Sequence, residues 1–146
     1  DFNKHAEKGN LFIKELAKEL GYPQDIARAG RVLRSVLHAL RDQLTTEESL
    51  GLLAQLPMFL KAVYVEGWKI PEKKKRIKHL DEFFNEIRKN DQLTASHDFH
   101  TDDEVDNAVS VVFLLLRQYV SLGELEDIKA VLPKELKPIV QSVLMI

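Results

Sequence analysis

Two histidines and several carboxylates lie close together in residues 96–104, which read Ser-His-Asp-Phe-His-Thr-Asp-Asp-Glu. His97 and His100 are three residues apart, with Asp98, Asp102 and Asp103 beside them. Imidazole nitrogens and carboxylate oxygens bind zinc and other first-row divalent ions, and the chain has no cysteine to add a thiolate. The spacing therefore identifies His97, His100 and Asp102 as candidate metal ligands.

The same stretch also has a purely structural interpretation. Thr101 and Glu104 have the spacing of a helix start, in which the threonine hydroxyl accepts a hydrogen bond from a backbone amide. The acidic residues after Thr101 would complement the positive end of that helix. In this interpretation both histidines are solvated, and we favour it over a metal site.

A run of basic residues beside Trp68 could contact a phosphate backbone while the indole stacks on a base. The candidate interaction residues are Trp68, Lys73, Lys74 and Lys75, with further cations at Lys69, Arg76 and Lys78. The whole chain carries a net charge of -2 and has a pI near 6.2, which gives no general attraction to nucleic acid or an anionic membrane. We favour a solvated linker over a nucleic-acid site.

Motifs for catalysis are scarce in the sequence. It contains no Gly-rich phosphate loop, His-Glu-x-x-His or Gly-x-Ser-x-Gly motif, and we predict no cofactor and expect no enzyme activity. The other histidines are isolated on helices and are expected at the surface or its boundary: His5, His38 and His79. Glutamates spaced four apart alternate with lysines, as on solvated helix faces: Glu15, Glu19, Glu82 and Glu86.

The most apolar stretch, residues 107–120, reads NAVSVVFLLLRQYV. Between Ala108 and Leu116 only Ser110 is polar, so a helix here would be enclosed by other helices. The run is far shorter than the roughly 20 residues that cross a bilayer. A buried strand would show the same pattern, so periodicity alone leaves both structures open.

An internal match decides in favour of a helix. At an offset of 76, residues 32–64 align with 108–140 without a gap, where about two identities are expected by chance. Nine of the 33 pairs are identical: Val36/Val112, Leu40/Leu116, Arg41/Arg117, Glu48/Glu124, Ala54/Ala130, Leu56/Leu132, Pro57/Pro133, Leu60/Leu136 and Lys61/Lys137. The first copy has helical spacing of its apolar residues, so we predict a duplication in which both copies are helical.

Helix start and stop signals recur in both halves. Thr45-x-x-Glu48 and Ser121-x-x-Glu124 each predict a helix start, and Leu-Pro pairs at 56–57 and 132–133 open the last helix of each half. An amphipathic helix over 75–90 matches the first helix at an offset of 71, which places about five extra residues in 91–101. We predict an all-α, eight-helix bundle built from two tandem four-helix repeats, 3–67 and 75–146, forming a single domain over 1–146.

Bulk composition fits this architecture. The chain has 146 residues, of which 45% are hydrophobic and 30% charged, an ordinary globular composition for one domain. The first ten residues are polar and do not resemble a signal peptide. We expect a soluble, cytoplasmic protein without a membrane span.

Several of these motifs together resemble a known family. Val32-Leu33, Val36-Leu37 and Leu40, then Ala54-Gln55-Leu56-Pro57, Val63-Tyr64 and Glu66-Gly67-Trp68, are similar to the bacterial domain of unknown function 2267 family. Leu132-Pro133-x-x-Leu136 is similar to that family's ending. The resemblance implies a small all-helical bacterial protein and carries no established activity or catalytic residues.

Two functions remain open from the sequence. The favoured one is a non-enzymatic helical interaction module for an unidentified protein partner. That module would use a groove between the two halves, or an apolar face near Trp68 or the C-terminal Leu144-Met145-Ile146. The alternative is a metal- or small-ligand-binding protein with its site near His97 and His100. The sequence identifies neither the partner nor the oligomeric state.

Overall fold

The computed structural model describes residues 1–70 and 76–146, and every regular element in those ranges is helical. The first half contains α1 (Phe2–Leu20), α2 (Ile26–Gln43), α3 (Thr46–Gln55) and α4 (Met58–Val65). The second half contains α5 (Leu80–Asp91), α6 (Ala95–Asp98), α7 (Asp102–Leu116), α8 (Leu122–Val131) and α9 (Lys137–Leu144). Apart from the single turn α6, these are eight helices, so the all-α prediction is confirmed.

Side-chain caps begin the helices at the positions that the sequence marks. The hydroxyls of Thr45 and Ser121 each accept a hydrogen bond of 3.1 Å from the backbone amide three residues later, and Thr101 does the same at 3.2 Å. Each cap satisfies an amide that has no partner inside the helix. At the other end of α1, Gly21 adopts a φ of 95°, a left-handed conformation that favours glycine.

The core lies around α2 and α7. Helix α7 is the apolar stretch singled out in the sequence, and Val105, Val109, Val112 and Leu116 on it are buried. Only Leu114 among its large apolar side chains is exposed, because the neighbouring helices α1, α2, α5 and α9 cover the rest. The prediction of an enclosed helix is therefore confirmed.

Helix α5 begins later than the sequence pattern predicts. It starts at Leu80 rather than Lys75, and His79 precedes it, its amide donating to Glu82 Oε1 at 3.2 Å. Acidic residues in the first turn of a helix are favourable, whereas cations there oppose the helix dipole. The start therefore moves from the basic run to the first acidic turn.

The last helix also differs in its first turn. Pro133 is followed by a 3-10 turn over Lys134–Leu136, and α9 proper begins at Lys137. Similarly, the segment with the predicted extra residues forms a 3-10 turn, Gln92–Thr94, followed by α6. The positions of these elements are as expected, while their local geometry is tighter than that of a regular α-helix.

His38 is a correction to the sequence analysis, which expected it at the surface or its boundary. It is buried, with 3% of its surface exposed, and its Nε2 lies 2.7 Å from the carbonyl oxygen of Val63. Burial lowers the pKa of His38, with the Val63 carbonyl opposing that effect. This histidine therefore joins α2 to α4 inside the core.

The length and apolar content of each helix decide whether it could cross a membrane. Across residues 1–70 and 76–146, no helix combines the length and apolar character needed to cross a bilayer.

Candidate functional site

Three carboxylates from two helices meet on one side of the fold. Glu48 lies in the first turn of α3, and Glu124 and Asp127 lie one turn apart on α8. One oxygen of each carboxylate lies within 4.8 Å of one oxygen of each of the other two. In the described part of the chain, these three side chains are the group placed closely enough to hold a metal ion. Glu48 and Glu124 are 76 residues apart, at the offset of the internal sequence match.

Glu124 is the most enclosed member of this carboxylate cluster. It is 9% exposed, and its buried Oε1 accepts no hydrogen bond from any described residue. Burial, followed by the contact with Glu48, raises the pKa of Glu124 to about 7. Asp127 is exposed, so the cluster opens to solvent on that side.

Gly51 makes room for the Glu124 carboxylate. A Cβ atom on Gly51 would lie 3.1 Å from Glu124 Oε1 and 3.4 Å from Oε2, closer than ordinary van der Waals contact. A glycine inside a helix costs roughly 1 kcal/mol relative to alanine. Here it allows α3 to approach the carboxylate on α8.

The two candidate histidine ligands lie near each other, and each has a different acidic neighbour. Their ring centroids are 6.5 Å apart. His97 Nε2 lies 3.9 Å from Asp25 Oδ2, and His100 Nδ1 lies 3.3 Å from Glu104 Oε1. The third candidate, Asp102, accepts a hydrogen bond of 2.7 Å from Arg88. A metal site at His97, His100 and Asp102 stays a prediction.

Asp98, one of the carboxylates that the sequence places beside the two histidines, lies in the core beneath this loop. Its side chain is fully buried, and both of its oxygens accept hydrogen bonds of 2.8 Å from the guanidinium of Arg31. Burial alone would raise the pKa of Asp98, but Arg31 and Asp91 hold it below its usual value. Asp98 therefore links α6 to α2. Because both of its oxygens bind Arg31, they are not available to a metal ion.

Asp91 is the second buried carboxyl at this position. Burial and the hydrogen bond to Asp98 raise the pKa of Asp91 to about 7. Thr94 Oγ1 donates to Asp91 Oδ1 at 2.9 Å, while the buried Asp91 Oδ2 accepts no hydrogen bond from the residues that the structure describes. A proton on Asp91 can therefore be donated to Asp98, which resolves the repulsion between two adjacent carboxyl groups.

Arg28 connects the start of α2 to the start of α7. Its guanidinium carbon lies 4.1 Å from the ring centroid of Tyr22. Its Nη2 donates to the Asp98 carbonyl at 2.8 Å and to Glu104 Oε2 at 3.3 Å. Glu104 is thus paired with Arg28 inside the fold. This pairing supports the structural interpretation of the acidic turn after Thr101 over a metal site.

Trp68 and the basic run fall at the edge of what the structure describes. Trp68 is half-buried and packs edge-on against Tyr64, with ring centroids 5.9 Å apart. Arg76 donates to the Val131 carbonyl at 2.8 Å, so this member of the run binds the protein itself. Lys73, Lys74 and Lys75 lie outside the described residues, and a nucleic-acid or partner contact there stays a prediction.

An aromatic cluster joins the two halves of the chain. Phe12 on α1 and Phe59 on α4 have ring centroids 5.5 Å apart, and Tyr119 lies 6.2 Å and 6.0 Å from them. Phe12 is buried, whereas Phe59 and Tyr119 are half-buried. Gly9 lets α1 approach, since a Cβ there would lie 3.2 Å from the Phe59 Cβ.

Exposed apolar side chains are close to these three rings in the sequence. Leu11, Met58 and Leu122 are 68%, 54% and 52% exposed. The Ser121 amide donates to Gln55 Oε1 at 2.7 Å, which brings the start of α8 to the end of α3, just before Met58. We name the surface of Leu11, Met58, Phe59, Tyr119 and Leu122 the junction patch.

The sequence also matches a known protein family. A family described as an uncharacterized conserved protein, DUF2267, matches residues 9–139, which is most of the chain. The chain belongs to this family. No curated protein matches the chain. Membership in DUF2267 confirms the resemblance seen in the Leu-Pro and Glu-Gly-Trp motifs, and it brings no activity with it.

Sequence reasoning missed both the carboxylate cluster and the junction patch. Glu48 and Glu124 were recognised as helix caps, because local spacing reveals a cap but not which caps face each other. One signal was available: both positions match at the offset of 76, and equivalent residues of a duplicated unit meet where its copies are related by a two-fold axis.

Proposed function

We propose that this DUF2267 chain is a non-enzymatic helical interaction module, in which two copies of one four-helix unit meet and present the junction patch to a protein partner. The observation that carries the proposal is the junction patch itself, where rings from both halves pack together and apolar side chains close to them in sequence are exposed. Apolar surface of this kind, enriched in aromatic residues and methionine, is typical of protein interfaces.

Matching helix boundaries support the two units, residues 3–67 and 75–146. Helices α3 and α8 each have ten residues and begin 76 residues apart. Arg41 donates to the carbonyls of Tyr64 and Glu66, and Arg117 donates to those of Val143 and Ile146. Each arginine thus caps the end of the last helix in its own half.

The chemistry of the junction patch suggests an amphipathic helix as its partner. Rings supply large rigid contact areas, and Met58 adapts its flexible side chain to an irregular surface. Because the patch draws on α1, α4 and the start of α8, a helix lying between the two halves would contact both. A groove between the halves is one of the three contact surfaces that the sequence analysis names.

Site-specific photocrosslinking tests the proposal. A photoreactive phenylalanine analogue replaces Leu122 in the junction patch, and in a matched control it replaces Leu93, which is 99% exposed. We expect one protein to be crosslinked from position 122 and not from position 93. Equal crosslinking from both positions would contradict the proposal.

Affinity measurement with the purified crosslinked protein completes the test. We expect Leu122→Glu and Met58→Asp to weaken binding roughly tenfold or more, because a charge enters a desolvated contact. Leu93→Glu should leave the affinity unchanged. Both positions are exposed, so the melting temperatures of the variants should stay close to that of the wild type.

The metal-binding alternative near His97 and His100 is favoured by one observation, the 6.5 Å separation of their ring centroids. Elemental analysis of the purified protein, with and without the paired changes His97→Ala and His100→Ala, tests it. Stoichiometric transition metal that disappears in the paired variant would support this alternative. Equal metal content in both proteins would reject it.

A further inference from the structure

The three carboxylates of Glu48, Glu124 and Asp127 converge, and no cationic side chain among the described residues pairs with them. Their nearest oxygens lie within 4.8 Å of one another. In the ranges 1–70 and 76–146, the ion pairs within 4.0 Å involve other carboxylates, including the neighbouring Glu126, which pairs with Lys129. No side chain in these two ranges therefore neutralises their mutual repulsion.

Glu124 adds an observation that is independent of the clustering. The side chain is nine-tenths enclosed, and its buried Oε1 accepts no hydrogen bond from a donor in the described part of the chain. An unpartnered buried carboxylate oxygen costs several times the free energy of an ordinary hydrogen bond. A bound cation would satisfy Oε1 and the two neighbouring carboxylates together.

The donor set indicates which cation fits. It contains only oxygen, which calcium, magnesium and manganese prefer, whereas zinc and copper favour nitrogen and sulfur. The three oxygens lie within 4.8 Å of one another, close enough for one ion to bind all three. Ca²⁺ accepts several protein carboxylates in a flexible geometry. Mg²⁺ requires near-ideal octahedral geometry and is usually bound by only one or two protein carboxylates, so three carboxylates favour Ca²⁺.

We propose that Glu48, Glu124 and Asp127 form a binding site for a hard divalent cation, with Ca²⁺ the best fit. Glu48 binds it from α3, and Glu124 and Asp127 bind it from α8. Asp127 is exposed and gives the ion access from solvent. Water completes the coordination on that side, as is usual for sites with few carboxylates.

The cation joins the two halves of the chain. It links α3 to α8, and the hydrogen bond between Ser121 and Gln55 lies on the same two helices beside the junction patch. Binding of the ion therefore stabilises the relative position of the halves. This site does not depend on whether a partner helix occupies the patch.

Calorimetric titration of the full chain tests the site. Protein freed of metal with a chelator is titrated with CaCl₂, and separately with MgCl₂. We expect one Ca²⁺ site with a Kd of about 1 mM or lower, and weaker binding of Mg²⁺. Saturating Ca²⁺ should also raise the melting temperature.

Matched variants locate the site. Glu124→Gln and Asp127→Asn should each weaken Ca²⁺ binding roughly tenfold or more, because each removes a charged ligand. Glu126→Gln, on the same helix but outside the cluster, and the paired His97→Ala and His100→Ala changes should leave the affinity unaltered. Asp127 is exposed, so its variant folds and keeps the test decisive.

Three results would overturn the site. The first is no heat of binding up to about 10 mM Ca²⁺, well above the range of protein calcium sites. The second is unchanged affinity in both Glu124→Gln and Asp127→Asn. The third is an infrared carboxylic-acid band, absent from Glu124→Gln, that persists in the wild type at saturating Ca²⁺, which would show a shared proton in place of the cation.

Discussion

Glu48 and Glu124 are 76 residues apart in the chain, and their carboxylates lie within 4.8 Å of each other in the fold. Each occupies the third position of its helix, where the positive end of the helix dipole favours a negative charge. Burial acts in the opposite direction on Glu124 and raises its pKa to about 7. The metal-free protein therefore reaches neutral pH with this carboxylate only partly ionised.

The first prediction concerns how this carboxylate affects stability. The pKa of Glu124 is raised from 4.5 to about 7 in the folded protein. The protonated carboxyl therefore contributes to the free energy of unfolding fully below the unfolded-state pKa, and this contribution is lost as pH rises through the folded-state pKa. We expect chelator-treated wild type to lose more stability between about pH 5 and pH 8 than Glu124→Gln does. Urea denaturation across this range measures the difference.

Other groups titrate in the same range, and the comparison separates them from Glu124. Burial raises the pKa of Asp91 and lowers that of His38, and both effects are equal in the two proteins. Glu126→Gln removes a charge from the same helix and should follow the wild-type pH profile. Parallel profiles for wild type and Glu124→Gln would show that the buried carboxylate does not control this pH dependence.

The second prediction uses two helical glycines that differ in their surroundings. A Cβ on Gly30 would meet no atom within 4 Å, whereas one on Gly51 would lie 3.1 Å from Glu124 Oε1. Gly30→Ala should stabilise the protein by about 1 kcal/mol, the usual helix preference. Gly51→Ala should give no such stabilisation, because its Cβ would displace the Glu124 carboxylate. The same displacement should weaken Ca²⁺ binding. Thermal melting and calorimetry measure the two effects.

Equal stabilisation by the two alanines, with Ca²⁺ binding unchanged, would show that Gly51 has no role in placing Glu124. A melting-temperature change of about 2–4 °C corresponds to each kcal/mol in a protein of this size, so the two outcomes are easily distinguished.

Much of the fold could be predicted from local sequence patterns. The caps at Thr45, Thr101 and Ser121, the glycine stop at Gly21 and the enclosed stretch of α7 all follow from preferences that act within a few residues. Long-range pairings escaped the same reasoning. Nothing in the spacing of Asp98 indicates that it binds Arg31 in the core, because the partner lies 67 residues away.

The candidate site was missed for the same reason. A glutamate three residues after a hydroxyl predicts a cap, and this is correct for Glu48 and Glu124. Whether two caps face each other depends on how α3 and α8 pack, which the apolar pattern does not specify. His38 is another example. Its ring nitrogen pairs with a carbonyl oxygen of α4, a contact that the sequence pattern does not predict.

The third prediction separates the two buried carboxyls beneath the histidine loop. Asp98→Asn should destabilise the protein by about 2–4 kcal/mol, because it leaves the Arg31 guanidinium without its bidentate partner. Asp91→Asn should be close to neutral or stabilising at about pH 8, since an amide can donate to Asp98 without ionising. Chemical denaturation of the two variants measures both effects.

Equal losses in the two variants would contradict this assignment, since it makes Asp98 the charged partner and Asp91 the proton donor. The raised pKa of Asp91, about 7, adds a second check. The advantage of Asp91→Asn over the wild type should shrink as the pH falls to about 5, because the wild-type carboxyl is then protonated.

The fourth prediction compares Arg41 with Arg117, which match at the offset of 76. Arg41 is 8% exposed, and its Nη1 donates to the Tyr64 carbonyl at 2.6 Å and the Glu66 carbonyl at 2.8 Å. Arg117 Nη1 donates to the Val143 and Ile146 carbonyls at 3.0 Å and 2.8 Å from a half-buried position. Both arginines satisfy carbonyls that the ends of α4 and α9 leave free.

Replacing each arginine by methionine keeps most of the aliphatic volume and removes the donors. We expect Arg41→Met to cost about 2–3 kcal/mol, because the carbonyls of Tyr64 and Glu66 lose a charged donor in a buried position. Arg117→Met should cost on the order of 1 kcal/mol, since Arg117 is half-buried and Ile146 is exposed, so water reaches these carbonyls. Urea denaturation gives both values, and a larger loss at Arg117 than at Arg41 would show that burial does not set the strength of these caps.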